Sequence, residues 1–139
     1  KYDCPLDIVQ IILNIHSMEP KTAAVIFEVL ASEARLAIFR LLVKYAPDGL
    51  VAGEIARLTG IPKTNLSFHL KAIVHSGLAH MEREGRHTRY RADIPLMLGV
   101  IAYLTAECCS GDPEQCRAYR TAGGVAPEFL PACCGNQKA

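Results

Sequence analysis

The chain has 139 residues, half of them apolar, with fifteen basic and fourteen acidic side chains and a formal net charge of +1. That is material for one compact domain and too little for two comfortable cores. No apolar run approaches the roughly 20 residues that span a bilayer, and no leader of charged start, apolar stretch and small-residue cleavage site opens the sequence, so no membrane role and a cytoplasmic location are expected.

The small net charge hides an uneven distribution. From Arg57 to Arg91 seven Lys or Arg stand against two Glu, an excess of +5, while the remainder carries eight basic and twelve acidic residues, or −4. A basic stretch in a mildly acidic chain is the footprint of a docked polyanion, because phosphate neutralisation supplies most non-specific DNA affinity. A solvated charged hairpin would give the same count.

Residues 1–19 read as an arm containing the apolar run Leu6 to Ile15, or as an added leader if Met18 is the native start. A helix is predicted from Pro20, with Ala24, Phe27, Leu30 and Ala31 recurring at three- and four-residue spacing. Ser32 is a candidate N-cap for a second helix burying Leu36, Phe39, Leu42 and Val43, which Pro47-Asp48-Gly49 ends. A third helix, about Val51 to Leu58, stops at Thr59-Gly60, and a fourth opens at Pro62-Lys63-Thr64, runs to about Ser76 and ends at Gly77. Two helices joined by a tight glycine turn make a helix-turn-helix pattern.

Leu78 to Arg83 and Thr88 to Arg91 then alternate about Glu84-Gly85-Arg86-His87, which predicts a β-hairpin. A last helix follows Pro95 through Leu96, Met97, Val100, Ile101 and Leu104 to about Cys109, stopped by Gly111 and Pro113. It is too apolar to face water all round, so this helix and the one near Pro20 are expected to bury against a second copy of the chain. Residues 110–139 read as a cysteine-containing arm, extended from Arg117 onward because of its Gly, Pro and Ala content. The predicted fold class is mainly α with a small β-hairpin: a winged helix-turn-helix over 20–109, dimeric through its N- and C-terminal helices.

In the fourth helix Lys63, Thr64, Asn65, Ser67, His69 and Lys71 are candidate contacts to DNA, with Lys63 and Asn65 suited to bases and Thr64 and Ser67 to phosphate. On the hairpin Arg83, Arg86, His87, Arg89 and Arg91 are candidates for backbone or minor-groove contact. His69, His75, His80 and His87 read as DNA-facing polarity or helix packing rather than as a metal cluster.

The chain has six cysteines. Adjacent Cα atoms lie about 3.8 Å apart, below the usual disulfide range of about 4.4 to 6.8 Å, so neither Cys108-Cys109 nor Cys133-Cys134 is a natural structural bridge. Cys108, Cys109 and Cys116 fall within nine residues, so three soft thiolates can meet one thiophilic ion with little loop-closure cost. Buried thiols acting as small hydrophobes are the plainer reading, and it is the one given to Cys4. No anion-cradling loop adjoins a cysteine, so a thiol-based enzyme such as an arsenate reductase is not expected.

Ala31-Ser32-Glu33-Ala34-Arg35-Leu36-Ala37-Ile38, Gly53-Glu54-Ile55-Ala56, Ser67-Phe68-His69-Leu70-Lys71, Ser76-Gly77-Leu78 and Arg83-Glu84-Gly85-Arg86-His87-Thr88-Arg89-Tyr90 together resemble successive signatures of the ArsR/SmtB family of bacterial metal-responsive repressors. The resemblance covers about Lys21 to Glu107. It implies a homodimeric winged helix that sits on a palindromic operator and leaves it when an inducer binds. The family's usual sensor positions are absent: Val51 to Leu58 holds no cysteine, and Asp93 to Glu107 holds no histidine.

What remains is Cys108, Cys109 and Cys116, similar to the C-terminal cysteine sites of a subset of arsenic-responsive relatives. Trivalent arsenic takes three thiolates, whereas structural zinc wants four ligands, so As(III) is the favoured inducer, with Sb(III) or methylarsenite as variants. Zinc or cadmium completed by a further cysteine, and a reversible disulfide of Cys116 with Cys108 or Cys109, stay open. Cys133 and Cys134 would form a second site, donate to the first, or take methylarsenite.

Overall fold

The computed structural model describes residues 18–106, 109–110 and 112–125. Its elements are α1 (Pro20–Leu30), α2 (Glu33–Lys44), β1 (Leu50–Val51), α3 (Ala52–Thr59), α4 (Lys63–His75), β2 (Ala79–Glu84), β3 (His87–Ala92), α5 (Ile94–Thr105) and α6 (Pro113–Ala122). The chain divides into two compact units, one of residues 19–98 and the other holding Met18 and the described residues from Gly99 onward.

In the first unit α1 starts with Pro20 in its opening turn, where the missing N–H costs nothing. It buries Ala23 and Ile26, while the predicted Ala24 and Phe27 are exposed, Phe27 by 43%. The run Ala23-Ala24-Val25-Ile26-Phe27 is apolar on every side, so periodicity alone could not choose the inward face. Arg35 donates to the carbonyls of Val29 and Glu28, satisfying acceptors that the end of α1 would otherwise leave open. Ser32 occupies the N-cap position of α2 in an extended conformation, but its side chain makes no capping bond.

Helix α2 buries Ile38, Phe39 and Leu42. Leu36 and Val43, predicted inward, are exposed at 42% and 40%: at about 100° per residue the inward direction is set by Ile38, Phe39 and Leu42, and Leu36 and Val43 lie roughly 100° round the helix from it. Ala23, Ile26, Ile38, Phe39 and Leu42, with Leu50, Ile55, Leu66, Leu70, Ile73, Leu78 and Ala79, form the core of the unit.

Val51, predicted as the first residue of the third helix, lies instead in a two-residue strand. The sheet has strand order β1-β3-β2, with Leu50 opposite Tyr90 and Val51 opposite Arg89. Helix α3 therefore begins at Ala52, and the Glu54 carboxylate turns back to accept the Val51 N–H at 3.0 Å. Gly60, at φ +71°, closes α3 in the left-handed conformation and gives the tight turn into α4.

Strands β2 and β3 pair antiparallel from Ala79↔Ala92 to Glu84↔His87, so the turn is the two residues Gly85-Arg86. The hairpin root is tied twice. Asp93 donates its N–H to the Leu78 carbonyl at 2.8 Å, and its carboxylate divides between the Leu96 N–H, 2.8 Å from Oδ1, and His80 Nε2, 2.7 Å from Oδ2.

Helix α5 ends at Thr105 rather than near Cys109. Beyond it, the extended arm predicted from Arg117 is partly replaced by α6. Asp112 caps this helix, accepting the Glu114 N–H at 2.9 Å and the Gln115 N–H at 3.5 Å, and Pro113 occupies its first turn. Pro113, read with Gly111 as a stop signal for α5, belongs to the start of a new helix, for which Asp-Pro is equally suited, and Gly111 lies outside the described residues. Among the described residues no helix is long and apolar enough to cross a membrane.

Candidate nucleic-acid interface

Helix α4 separates its side chains cleanly. Leu66, Leu70 and Ile73 are buried at spacings of four and three, and they fix which way the opposite face points. At about 100° per residue Phe68 lies roughly 200° from Leu66 and from Leu70, with Thr64, Lys71 and His75 around the same outward direction. All four are exposed.

Lys63, Asn65 and Ser67 are exposed on the flanks, and the Ser67 hydroxyl donates to the Lys63 carbonyl at 3.0 Å. His69 is half-buried, on the side turning toward the core. The predicted set thus splits into two outward-facing residues, Thr64 and Lys71, three flanking ones and one recessed. Phe68, 78% exposed, sits at the centre of the outward face and was not among them. The signal was present in its spacing from the buried leucines.

The hairpin arginines also divide. His80, Glu82 and Glu84 face Arg91, Arg89 and His87 across the ladder, so these six side chains share one side of the sheet. There Arg89 Nε meets Glu84 at 2.7 Å, while Arg91 meets Glu82 at 2.7 Å and Glu84 at 3.0 Å. The hydrogen bond from Arg89 holds the Glu84 carboxyl below its ordinary value of 4.5 despite some desolvation, and the same bond raises Arg89. Arg89 also reaches the Gly49 carbonyl at 3.3 Å. Arg83, Arg86 and His87 are exposed toward the hairpin tip. The Glu-x-Glu and Arg-x-Arg spacings of the two strands carried the pairing, which a charge sum cannot reveal.

In the C-terminal segment the described residues from Ser110 to Val125 are exposed or half-buried apart from Cys116 at 5%, and Cys109, just before them, is 9% exposed. The Asp112 N–H donates to the Cys109 carbonyl at 2.8 Å, a turn that leads straight into α6. Cys116 is disulfide-bonded. It can serve as a thiolate only after reduction. Cys4, Cys108, Cys133 and Cys134 lie outside the described residues, so the predicted trio is placed only in part. Among the described residues no three His, Cys, Asp or Glu side chains converge on a point that could hold a metal ion.

Residues 30–82 match the family model described as a helix-turn-helix domain. The chain is 32% identical over 78 residues to the uncharacterized HTH-type transcriptional regulator YceK of Bacillus subtilis (strain 168), covering 56% of this chain and 76% of that protein. A crystal structure of a possible transcriptional regulatory protein (fragment 1-100) from Mycobacterium bovis superposes with a TM-score of 0.50 at 29% identity, over 63% of this chain and 92% of the other. An ArsR-like transcriptional regulator from Rhodococcus sp. RHA1 shares the fold, with a TM-score of 0.51 at 23% identity over 73% and 92% of the two chains. With an outward-facing second helix, a hairpin wing and a relative of this similarity, the chain belongs to the helix-turn-helix transcriptional regulators.

Proposed function

We propose that the chain is a repressor of the ArsR type that binds operator DNA as a homodimer and is released when As(III) binds cysteine thiolates. The observation that carries the inducer is the paired burial of Cys109 and Cys116 in a segment whose other described residues are open or partly open to water. Two sulfurs drawn inward on either side of one turn favour a soft, thiophilic ligand over a hard one. Cys108, adjacent in sequence, supplies the third thiolate.

Operator contact falls to Thr64, Lys71 and the flanking Lys63, Asn65 and Ser67, with His69 at the edge, while Arg83, Arg86 and His87 reach for backbone from the wing. Arg89 and Arg91 join only by loosening their glutamates. Val25 and Phe27 on α1 and Leu98 and Leu104 on α5 are exposed apolar side chains suited to burial against a second copy.

The disulfide at Cys116 favours a second reading, in which two thiols give two electrons and two protons to an oxidant and the bond itself releases the operator.

Fluorescence anisotropy of an operator duplex under reducing conditions, with arsenite, methylarsenite, antimonite, zinc and cadmium titrated against wild type, Cys108→Ser, Cys109→Ser and Cys116→Ser, tests the first reading, and the same titration with an oxidant in place of the metals tests the second. Release by arsenite that each substitution abolishes supports the arsenic reading. Release by oxidant alone, blocked by Cys116→Ser, supports the disulfide.

A further inference from the structure

We propose that Phe68 reads sequence, by packing its ring against a thymine 5-methyl group in the major groove of the operator. The inference rests on the operator-binding reading above and adds to it a specificity-determining residue.

Phe68 is 78% exposed, the highest value among the exposed large hydrophobic side chains of the described residues, and it stands opposite the buried Leu66, Leu70 and Ile73 at the middle of the outward face. It is the sixth residue of α4, about one and a half turns from the N-terminus, within the part of a recognition helix that approaches base edges. Lys71, Ala72 and His75 border an open hollow of about 380 Å³ beside it, so the ring has room, the Lys71 cation beside it and, among the described residues, no partner that covers it.

A phenyl ring has neither donor nor acceptor and cannot read the hydrogen-bond pattern of a base edge. The apolar group that a base pair offers in the major groove is the thymine 5-methyl. Burying one methyl-sized group contributes about 0.8 kcal/mol, which converts to roughly a fourfold change in affinity per site. Lys71, beside it, neutralises phosphate whatever the sequence, so the phenyl contact adds selectivity to a grip that is otherwise general.

The test uses the full chain and a duplex selected from random double-stranded DNA. Each thymine of that duplex is replaced in turn by deoxyuridine, which removes the 5-methyl and nothing else. The expected result is one thymine per half-site at which the replacement weakens wild-type binding about fourfold. Phe68→Ala should bind the selected duplex more weakly and show no response to that replacement, with its melting temperature unchanged because the ring is exposed.

Replacement at every thymine without effect on wild type would overturn the inference, and this arm needs no variant to fold. An equal loss by Phe68→Ala on selected and random duplexes, or a change in its oligomeric state, would overturn it too. Failure of the wild type to select any duplex would instead remove the operator-binding reading on which the inference stands.

Discussion

Gly49 is where the sheet is pinned to the helical body, and its replacement is the sharpest test of the fold. Its φ is +72°, and a Cβ added there would stand 2.2 Å from the Tyr90 carbonyl oxygen, 2.7 Å from Arg91 Cγ and 3.0 Å from the Tyr90 carbonyl carbon. Ordinary carbon–oxygen contact is about 3.3 Å, so β3 would have to recede by about 1 Å. It is held from both sides, by β1 at Leu50↔Tyr90 and by β2 along its whole length. Gly60 supplies the control: its φ is +71°, and nothing lies within 4 Å of the added Cβ. Gly60→Ala should therefore cost only the left-handed conformation, about 1 kcal/mol. Gly49→Ala carries that cost plus about 1 to 3 kcal/mol of overpacking, about 2 to 4 kcal/mol together. Melting temperatures should fall by roughly 5 °C and 10 to 20 °C respectively, with urea m-values unchanged. Equal losses in the two variants would refute the steric argument and the placement of Tyr90 with it.

The wing gives two further expectations. Glu84→Gln should leave Arg89 and much of Arg91 available to phosphate, raising affinity for random duplex and steepening its dependence on salt by roughly 0.9 in log–log slope for each additional phosphate neutralised; an unchanged slope would show that the glutamate does not compete with DNA. Because Glu84 is held below its ordinary value by the Arg89 hydrogen bond, its contribution to stability is present above about pH 4.5 and lost as pH falls through the lowered value. The melting-temperature gap between wild type and Glu84→Gln should accordingly close on acidification, and a gap that widened would reverse the assignment. Asp112→Ala should cost α6 about 1 kcal/mol, loosen the turn holding Cys109 and Cys116, and weaken arsenite-induced release before it affects operator binding in the absence of arsenite. Titration of that variant beside wild type checks the order of effects.

Much of the fold is legible in the residues alone. Gly60 and Gly77 and the Pro62-Lys63-Thr64 start define the paired helices, since each is a local signal with one physical reading. The hairpin is legible too, through alternation about Gly85. Strand β1 is not, because two residues carry no periodicity and their partners Tyr90 and Arg89 are nearly forty positions away. The inward faces of α1 and α2 escape where consecutive apolar residues leave no contrast between sides. Helix α6 escapes because Asp-Pro after a glycine ends one helix and begins another with the same chemistry. Within the interface the cations are legible as charge, but their partners Glu82 and Glu84 require the strand register, and Phe68 requires knowing that Leu66 faces inward.

The root and the tip of the hairpin place opposite constraints on how the wing can change. Asp93 locks the root by serving β2 through His80, the chain before it through Leu78 and the start of α5 through Leu96, so an insertion there would break three fastenings at once. At the tip no described residue beyond its chain neighbours lies within 4 Å of a Cβ added at Gly85, and Arg86 is exposed. Lengthening at Gly85-Arg86 by one residue in each strand together would extend the reach of the wing along the DNA while preserving the root fastenings. Reach along the operator is thus the property of this fold most open to change, and wings of different lengths could be grafted onto the same recognition helix.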